Sequence, residues 1–172
     1  LLHGFGSDST AWHAVERALA PARPVLRMDL PGHGQSAPGD IRAFEELAAA
    51  VVEAFDALGL ARVHLVGHSL GGAAALALAA RRAGAVASLS LIAPGGLGNE
   101  INGDFIEGLA AADDTRSLAP WLRAMVCDDA LVTADYVAAA MAARVAPDLR
   151  AEQGAMGRAL FPGGTQDFDL KP

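Results

Sequence analysis

The segment at residues 67–72, Gly-His-Ser-Leu-Gly-Gly, constrains the fold of this chain more than any other part of its sequence. An apolar run typical of a strand precedes it at residues 63–66, and an alanine-rich run typical of a helix follows it. Glycines stand two residues before and two residues after Ser69, where only a small residue lets neighbouring chain segments approach closely. The segment therefore predicts a sharp, strained strand-to-helix turn that exposes the Ser69 hydroxyl.

The first hundred residues predict strands that alternate with helices. Apolar runs typical of strands lie at residues 1–2, 25–28, 63–66 and 86–92, and helical patterns lie at residues 10–20, 44–58 and 70–82. Strands separated by helices of this length favour parallel crossovers, which give an open sheet covered by helices on both faces. We therefore expect an α/β fold in which residues 1–98 form the N-terminal part of the core.

The sequence after Gly98 has no convincing strand pattern and instead predicts helices. Candidate helices lie at residues 105–111, 118–125, 132–145 and 149–160. We expect residues 99–164 to form a helical cap over the sheet, and residues 165–172 to be a linker that returns to further core. Because the chain begins inside a predicted strand and stops without a closing element, we expect it to be a fragment with an incomplete sheet.

Ser69 is the candidate nucleophile, and two backbone groups are candidates for stabilising the negative charge that its attack would create. The N–H of Leu70 follows the serine at the start of a predicted helix, whose positive end points toward the site. A second donor would come from the glycine-bearing loop after the first strand, and we assign it to the N–H of Phe5. The residues predicted to shape or support this site are His3, Gly4, Gly67, His68, Gly71 and Gly72.

A third motif, Asp-Leu-Pro-Gly-His-Gly-Gln-Ser at residues 29–36, predicts a tight connector. We expect His33 to have a structural role there, holding the connector near the side of the site where an oxyanion would form. Within residues 99–164, four apolar side chains could line a pocket for an acyl group or form the interior of the cap, and we favour the interior. They are Phe105, Trp121, Leu122 and Met125.

These three motifs, in this order and spacing, resemble the α/β-hydrolase family over the first hundred residues. Residues 91–106 and 160–164 further resemble the hydrolase-type domain at the C-terminal end of acetoin dehydrogenase E2 (dihydrolipoyllysine acetyltransferase) components. The family resemblance implies a serine hydrolase or acyl transferase that acts on a small-molecule ester or thioester through an acyl-Ser69 intermediate, or on a C–C bond of a diketone. The E2 resemblance implies an alternative, a non-catalytic accessory domain that joins a dehydrogenase multienzyme complex through its parent chain.

The resemblance also implies an acid and a base that this sequence does not supply. The family places an Asp or Glu and then a His after the serine, yet all five histidines precede or adjoin Ser69 on its N-terminal side. His68 is a poor base because successive side chains at a sharp turn diverge, and Pro94 and Gly95 occupy an alternative position for the acid. We therefore expect the acid and the base beyond Pro172, and little or no turnover by the fragment alone.

The other titratable residues after Ser69 are expected to have non-catalytic roles. The acidic pairs at residues 113–114 and 128–129 lie in the predicted cap, where we expect them to be solvated or to cap helices. Cys127 is the single cysteine, so no internal disulfide can form, and we expect it to lie buried in a helix. This cysteine usage favours a reducing, cytoplasmic location.

Composition and motif content disfavour several classes of ligand and partner. A net charge of -7 argues against nucleic acid and against an anionic membrane surface, and the longest apolar stretch, residues 70–80, is too short to span a bilayer. Metal-ligand spacings and phosphate-binding glycine loops are missing from the sequence, so we expect neither a metal nor a cofactor. Lys171 is the single lysine and stands beside a proline rather than on a tight hairpin, so we expect no lipoyl site.

Overall fold

Two parallel strands form the sheet of the computed structural model, which describes residues 1–37, 39–144 and 147–170. The strands are β1 (Val63–His68) and β2 (Val86–Ile92), and they pair side by side. Leu2 extends the sheet on the other side of β1, because it forms parallel bridges with both Gly67 and Met28. The chain segments therefore lie in the order Met28, Leu2, β1, β2.

The predicted strands at residues 1–2 and 25–28 are reduced to isolated bridges, so the prediction was wrong about their extent. The N–H of Leu2 donates to the Val66 carbonyl (2.9 Å), and the N–H of His68 donates to the Leu2 carbonyl (3.0 Å). The chain then enters a turn at residues 5–6, which ends the pairing soon after it begins. Leu2 nevertheless places the loop that follows it beside the end of β1.

In the described part of the chain, three helices accompany the strands, close to the predicted positions. They are α1 (His13–Leu19), which follows the short 3-10 helix Ser9–Trp12, then α2 (Phe44–Ala57) and α3 (Leu70–Arg81). Helix α3 packs against both strands and against α2, and several of its alanines are fully buried, which allows this close approach. The buried face of α2 is apolar at helical spacing and consists of Phe44, Leu47, Ala48, Val51, Val52 and Phe55.

Four further helices, which we call the helical segment, follow β2 in the part of the chain that the structure describes. They are α4 (Gly103–Ala111), α5 (Thr115–Arg123), α6 (Ala134–Ala142) and α7 (Pro147–Leu160). Helix α4 packs against α5 and α7, and α5 packs against α6, so the four helices form one connected group. Across the described ranges, none of the helices combines the length and the apolar composition that crossing a membrane requires.

Polar side chains set where the helices of this segment begin. Helix α6 starts two residues later than predicted because the Thr133 hydroxyl accepts a hydrogen bond from the N–H of Tyr136 (3.1 Å) and caps the helix. Its predicted end, Val145, lies outside the described residues. The expected capping by acidic residues is confirmed for Asp114, which accepts from the N–H of Ser117 (2.7 Å) at the start of α5. Asp128 caps the next short 3-10 helix in the same way.

The chain enters and leaves the helical segment at adjacent positions. Glu100 and Thr165 form an isolated antiparallel bridge. The side chain of Gln166 reinforces this pairing, because its Oε1 accepts from the N–H of Gly96 (2.8 Å) and its Nε2 donates to the carbonyl of Gly98 (2.5 Å). The predicted boundaries at residues 98 and 164 fall at this paired connection, and the division into a core and a cap stays a prediction.

The apolar side chains singled out in the helical segment mostly form its interior, as favoured. Leu122 is buried, and the rings of Phe105 and Trp121 meet edge to face with their centroids 6.3 Å apart. Met125 is the exception, with 45% of its surface exposed. The prediction of a buried, helical Cys127 was wrong: α5 ends before it, and the residue lies exposed in the loop that follows.

Candidate active site

Ser69 lies at the turn between β1 and α3. Its backbone angles, φ 51° and ψ -118°, fall in a region that residues with a side chain rarely adopt. The N–H of Ser69 donates to the Ile92 carbonyl (3.0 Å), and the Ser69 carbonyl accepts from the N–H of Gly95 (3.0 Å) and from the first turn of α3. Strand β2 and α3 therefore hold the strained conformation, and the half-buried Ser69 side chain stands at the end of the sheet.

The glycines around Ser69 are required by close contacts between backbone segments. A Cβ on Gly67 would overlap the backbone carbonyl of Gly71, and a Cβ on Gly71 would overlap the backbone carbonyls of Leu2 and His3. On Gly72, a Cβ would lie 2.8 Å from the side chain of Pro94. The start of α3 thus passes closer to β1 and to the Leu2 segment than any side chain permits, which accounts for the glycine spacing in the sequence.

The loop at residues 3–7, which we call the 3–7 loop, passes directly beside the serine. A Cβ on Gly4 would lie 3.2 Å from the Cβ of Ser69 and 2.9 Å from Nδ1 of His68. Neither the N–H of Phe5 nor the N–H of Leu70 has a hydrogen-bond acceptor among the described residues. Both N–H groups therefore lack a protein partner among those residues, and Leu70 is at the N-terminus of α3, where the helix dipole favours negative charge.

Two buried histidines hold the 3–7 loop and the connector at residues 29–36. The Nδ1 of His3 donates to the Gly4 carbonyl (2.8 Å), and its Nε2 accepts from the N–H of Leu30 (3.0 Å). The Nδ1 of His33 donates to the Pro31 carbonyl (2.9 Å), and its Nε2 accepts from the N–H of Gly6 (3.1 Å). Because a carbonyl only accepts and an N–H only donates, these partners assign both rings as neutral imidazoles that carry their proton on Nδ1.

Burial explains why both rings stay neutral. Removal from water lowers the pKa of His33 to about 3 and lowers the pKa of His3 as well, against the weaker effects of their carbonyl partners. The two rings lie 5.2 Å apart between centroids, so a proton on either would disfavour a proton on the other. These contacts give His33 the structural role expected for it, and both of its ring nitrogens are occupied.

Asp29 organises the connector, a structural role that was not predicted from the sequence. Its carboxylate accepts from the N–H of Ser9 (2.6 Å) and from the N–H of Gln35 (3.0 Å), while its carbonyl accepts from the Ser36 hydroxyl (2.7 Å). Partial burial acts to raise the pKa of Asp29, but the hydrogen bonds from Gln35 and Ser9 outweigh it and the pKa is lowered. An aspartate ahead of a Pro-Gly turn, with a serine seven residues later, was the available signal.

Arg144 is a second residue that the sequence did not single out. The residue follows α6 and is only 6% exposed. Its Nη1 donates to the Gly6 carbonyl (3.1 Å) and its Nη2 donates to the Leu109 carbonyl (2.6 Å). Burial, and then the nearby charge of Arg150, lower the pKa of Arg144. These partners lie far away in the chain, so no local pattern indicated the role.

A pocket of about 200 Å³ lies beside the 3–7 loop and the Ser69 turn, lined by His3, Gly4, Ser7, Ala11, Trp12, His68 and Ile92. Burial lowers the pKa of His68, which keeps its ring neutral on the pocket wall. Within the described ranges, no hydrogen bond joins the Ser69 hydroxyl to a histidine or a carboxylate. The same residues contain no group of three side chains placed to bind a metal ion.

Comparison with known proteins gives the class to which this arrangement belongs. The family model described as "Alpha/beta hydrolase family" matches residues 1–170. The chain therefore belongs to the alpha/beta hydrolase family, and the predicted family and fold class are confirmed.

Two curated relatives carry the same description, "Dihydrolipoyllysine-residue acetyltransferase component of acetoin cleaving system". The protein from Pseudomonas putida is 46% identical over 134 residues, which cover 77% of this chain and 36% of that protein. The protein from Cupriavidus necator is 34% identical over 168 residues, which cover 96% of this chain and 44% of that protein. The predicted similarity to acetoin E2 components is confirmed, and the chain spans less than half the length of either relative.

The fold is also found in solved structures. A meta-cleavage product hydrolase from Pseudomonas fluorescens IP01 (CumD) superposes with a TM-score of 0.82, covering 94% of this chain and 60% of that one at 21% sequence identity. At that identity the likeness establishes the fold and leaves the reaction to be argued from this chain's own residues.

Proposed function

We propose that the protein containing this chain is a serine hydrolase or acyl transferase that acts on a small-molecule ester or thioester. The observation that carries the proposal is the strained Ser69 at the start of α3, with the unpaired N–H groups of Leu70 and Phe5 beside it. A serine hydroxyl next to two free backbone donors is the arrangement that acyl transfer requires.

In the proposed reaction, Ser69 Oγ attacks the carbonyl carbon and the carbonyl oxygen becomes an oxyanion. The N–H groups of Leu70 and Phe5 bind that oxygen, and the positive end of α3 stabilises its charge. Collapse of the tetrahedral species expels an alkoxide or a thiolate and leaves the acyl group as an ester on Ser69. Water then attacks this ester to complete hydrolysis, or another nucleophile attacks it to complete transfer.

The serine needs a base that accepts its proton, and we propose that the base and its acid partner come from residues beyond Pro172. His3 and His33 use both ring nitrogens in hydrogen bonds to the backbone, and His68 adjoins the serine with its side chain against Gly4. A chain limited to these 172 residues would therefore show little or no turnover. We also propose that the helical segment is a cap bounded by residues 99 and 164, which would cover the acyl substrate.

A second candidate function follows from the names of the relatives. Both similar proteins are named as components of an acetoin cleaving system, so the chain could serve as an accessory domain of such a multienzyme complex. An acetyltransferase activity of the E2 type would have to come from other parts of a longer protein, because its lipoyl lysine and its His-x-x-x-Asp-Gly motif do not occur in this sequence. A cytoplasmic location would suit either function and the exposed thiol of Cys127.

Covalent labelling of the full-length protein with a fluorophosphonate probe separates the two functions. We expect one labelled site, Ser69, and loss of the label in Ser69→Ala. The matched control is Ser90→Ala, since Ser90 is an exposed serine on β2 that pairs with Val66 and lies outside the turn, and this variant should label like the wild type. A folded wild-type protein that takes up no probe at Ser69 would exclude the nucleophile and leave the accessory role.

A further inference from the structure

Arg144 joins the helical segment to the 3–7 loop through its two hydrogen bonds to carbonyl oxygens. One carbonyl belongs to Gly6 in the loop, 138 residues earlier in the chain, and the other belongs to Leu109 in α4. The contact is tight, because a Cβ on Gly6 would lie 2.8 Å from the side chain of Leu109 and 3.2 Å from Nη1 of Arg144. The guanidinium thus sits where the helical segment presses on the loop that carries Phe5.

Three consecutive peptide groups of the 3–7 loop are each held by a buried side chain. A histidine ring donates to the Gly4 carbonyl, a second histidine ring accepts from the Gly6 N–H, and Arg144 donates to the Gly6 carbonyl. In a trans peptide the carbonyl and the N–H of the same unit point in opposite directions, so the hydrogen bond from His3 to the Gly4 carbonyl sets the direction of the Phe5 N–H. The two contacts on Gly6 hold the peptide units that follow it. Arg144 holds the Gly6 carbonyl, which follows Phe5 in the chain. Of the three side chains that hold the loop, it is the one that the helical segment contributes.

Charge considerations indicate that the contribution of Arg144 is geometric. Within the described ranges, Arg144 forms no ion pair with a carboxylate, and its buried Nε has no hydrogen-bond partner. A buried cation without a counter-charge is destabilising, and an apolar side chain of similar length would avoid that penalty. What a guanidinium supplies, and an apolar side chain does not, is a rigid fork with two donors that can fix two carbonyls relative to each other.

We propose that Arg144 is a positioning residue through which the helical segment holds the 3–7 loop in the geometry that oxyanion binding needs. The inference rests on the proposed function, because it assigns the Phe5 N–H the role of oxyanion donor. Removing the link would let the loop relax and misdirect that N–H, while the ground-state contacts of the substrate would change little.

The kinetic test compares Arg144→Met, Arg144→Lys and the control Arg123→Met in the full-length protein, with p-nitrophenyl acetate as substrate. Arg123 is an exposed arginine at the end of α5. We expect Arg144→Met to lower kcat roughly ten- to a hundredfold while KM changes by less than about threefold. Arg144→Lys should fall between Arg144→Met and the wild type, since one ammonium cannot reproduce the fork, and Arg123→Met should match the wild type.

Amide hydrogen exchange of the 3–7 loop provides a second measurement that does not depend on turnover. The Gly6 amide and its neighbours should exchange faster in Arg144→Met than in the wild type or in Arg123→Met. If exchange rises as expected but the wild-type protein shows no Ser69-dependent activity, the link between Arg144 and the loop stands and the proposed function falls. Amide exchange rates and kcat values that match the wild type in both Arg144 variants would refute the positioning role.

A comparison of neutral and anionic esters tests the competing explanation, in which Arg144 binds the substrate. We expect the kcat defect of Arg144→Met to be the same for p-nitrophenyl acetate and for the carboxylate-bearing p-nitrophenyl hemisuccinate. A defect that appears as a raised KM for the anionic ester alone would overturn the proposal and identify Arg144 as a contact for the charge of the substrate.

Discussion

The neutral state of the buried His33 makes the free energy of unfolding of this fold depend on pH. Burial holds the pKa of His33 at about 3 in the folded protein, against 6.5 for the exposed side chain. Between these values the unfolded chain binds a proton that the folded chain does not, so stability rises with pH and falls as the solution is acidified. His3 contributes in the same direction, because burial lowers its pKa too.

The size of the effect follows from these two values. At about pH 5 an unfolded His33 is mostly protonated while the folded one is not, which removes roughly 2 kcal/mol of stability relative to about pH 7. The free energy of unfolding, measured by urea titration with tryptophan fluorescence at the two pH values, should fall by at least this amount in the wild type. Trp12 is buried beside the same pocket as His3 and reports on this part of the fold.

The variant that isolates the effect is His33→Gln, whose amide oxygen can accept from the Gly6 N–H where Nε2 does now. It should lose about 2 kcal/mol less than the wild type between the two pH values, since the titrating ring is gone. His13→Gln, at an exposed position of α1, should retain the wild-type difference. Equal acid sensitivity in His33→Gln and the wild type would refute the account of a buried, neutral His33.

Three further predictions concern stability and can be measured by the same urea titrations. Gly71→Ala should destabilise the fold by about 3 kcal/mol or more, because its Cβ would overlap backbone that cannot move aside. The control Gly84→Ala places its Cβ where no atom lies within 4 Å and should change stability by less than about 1 kcal/mol. Equal effects of the two substitutions would contradict the steric argument. Asp29→Ala should cost about 1 to 2 kcal/mol by leaving the N–H groups of Ser9 and Gln35 without an acceptor, and a neutral result would show that water replaces it. Asn102→Ala should cost about 1 kcal/mol through loss of the cap on α4, with no change in Ser69 labelling.

The Ser69 turn could be predicted from sequence because its requirements are local and steric. Gly67 and Gly71 face each other across the turn, so the spacing of the two glycines records a contact that forms within five residues. The order of strands and helices could also be predicted, since each element has its own periodicity of apolar residues. The lengths of the pairings at Leu2 and Met28 were overestimated because a short apolar run does not indicate how far a ladder of hydrogen bonds continues.

Contacts between distant segments could not be predicted in the same way. Arg144 stands in the local sequence Ala-Ala-Arg, which is typical of an exposed helix end, and nothing nearby indicates that Gly6 and Leu109 are its partners. The prediction for Cys127 was wrong because its apolar sequence neighbours indicated a buried helical position, whereas α5 ends before this residue and leaves it exposed. In both cases the local composition carried no information about the environment of the side chain.

The pairing of Glu100 with Thr165 has a consequence for how such a chain can vary. Since the helical segment departs from and returns to the same point, its removal or replacement would leave the path of the remaining chain almost unchanged, and closing the gap would take only a short turn. Lengthening or exchanging these helices would therefore be tolerated by the sheet. The part of the molecule that would register such a change is the 3–7 loop, because Arg144, which donates to the Gly6 carbonyl, would be lost or displaced together with these helices.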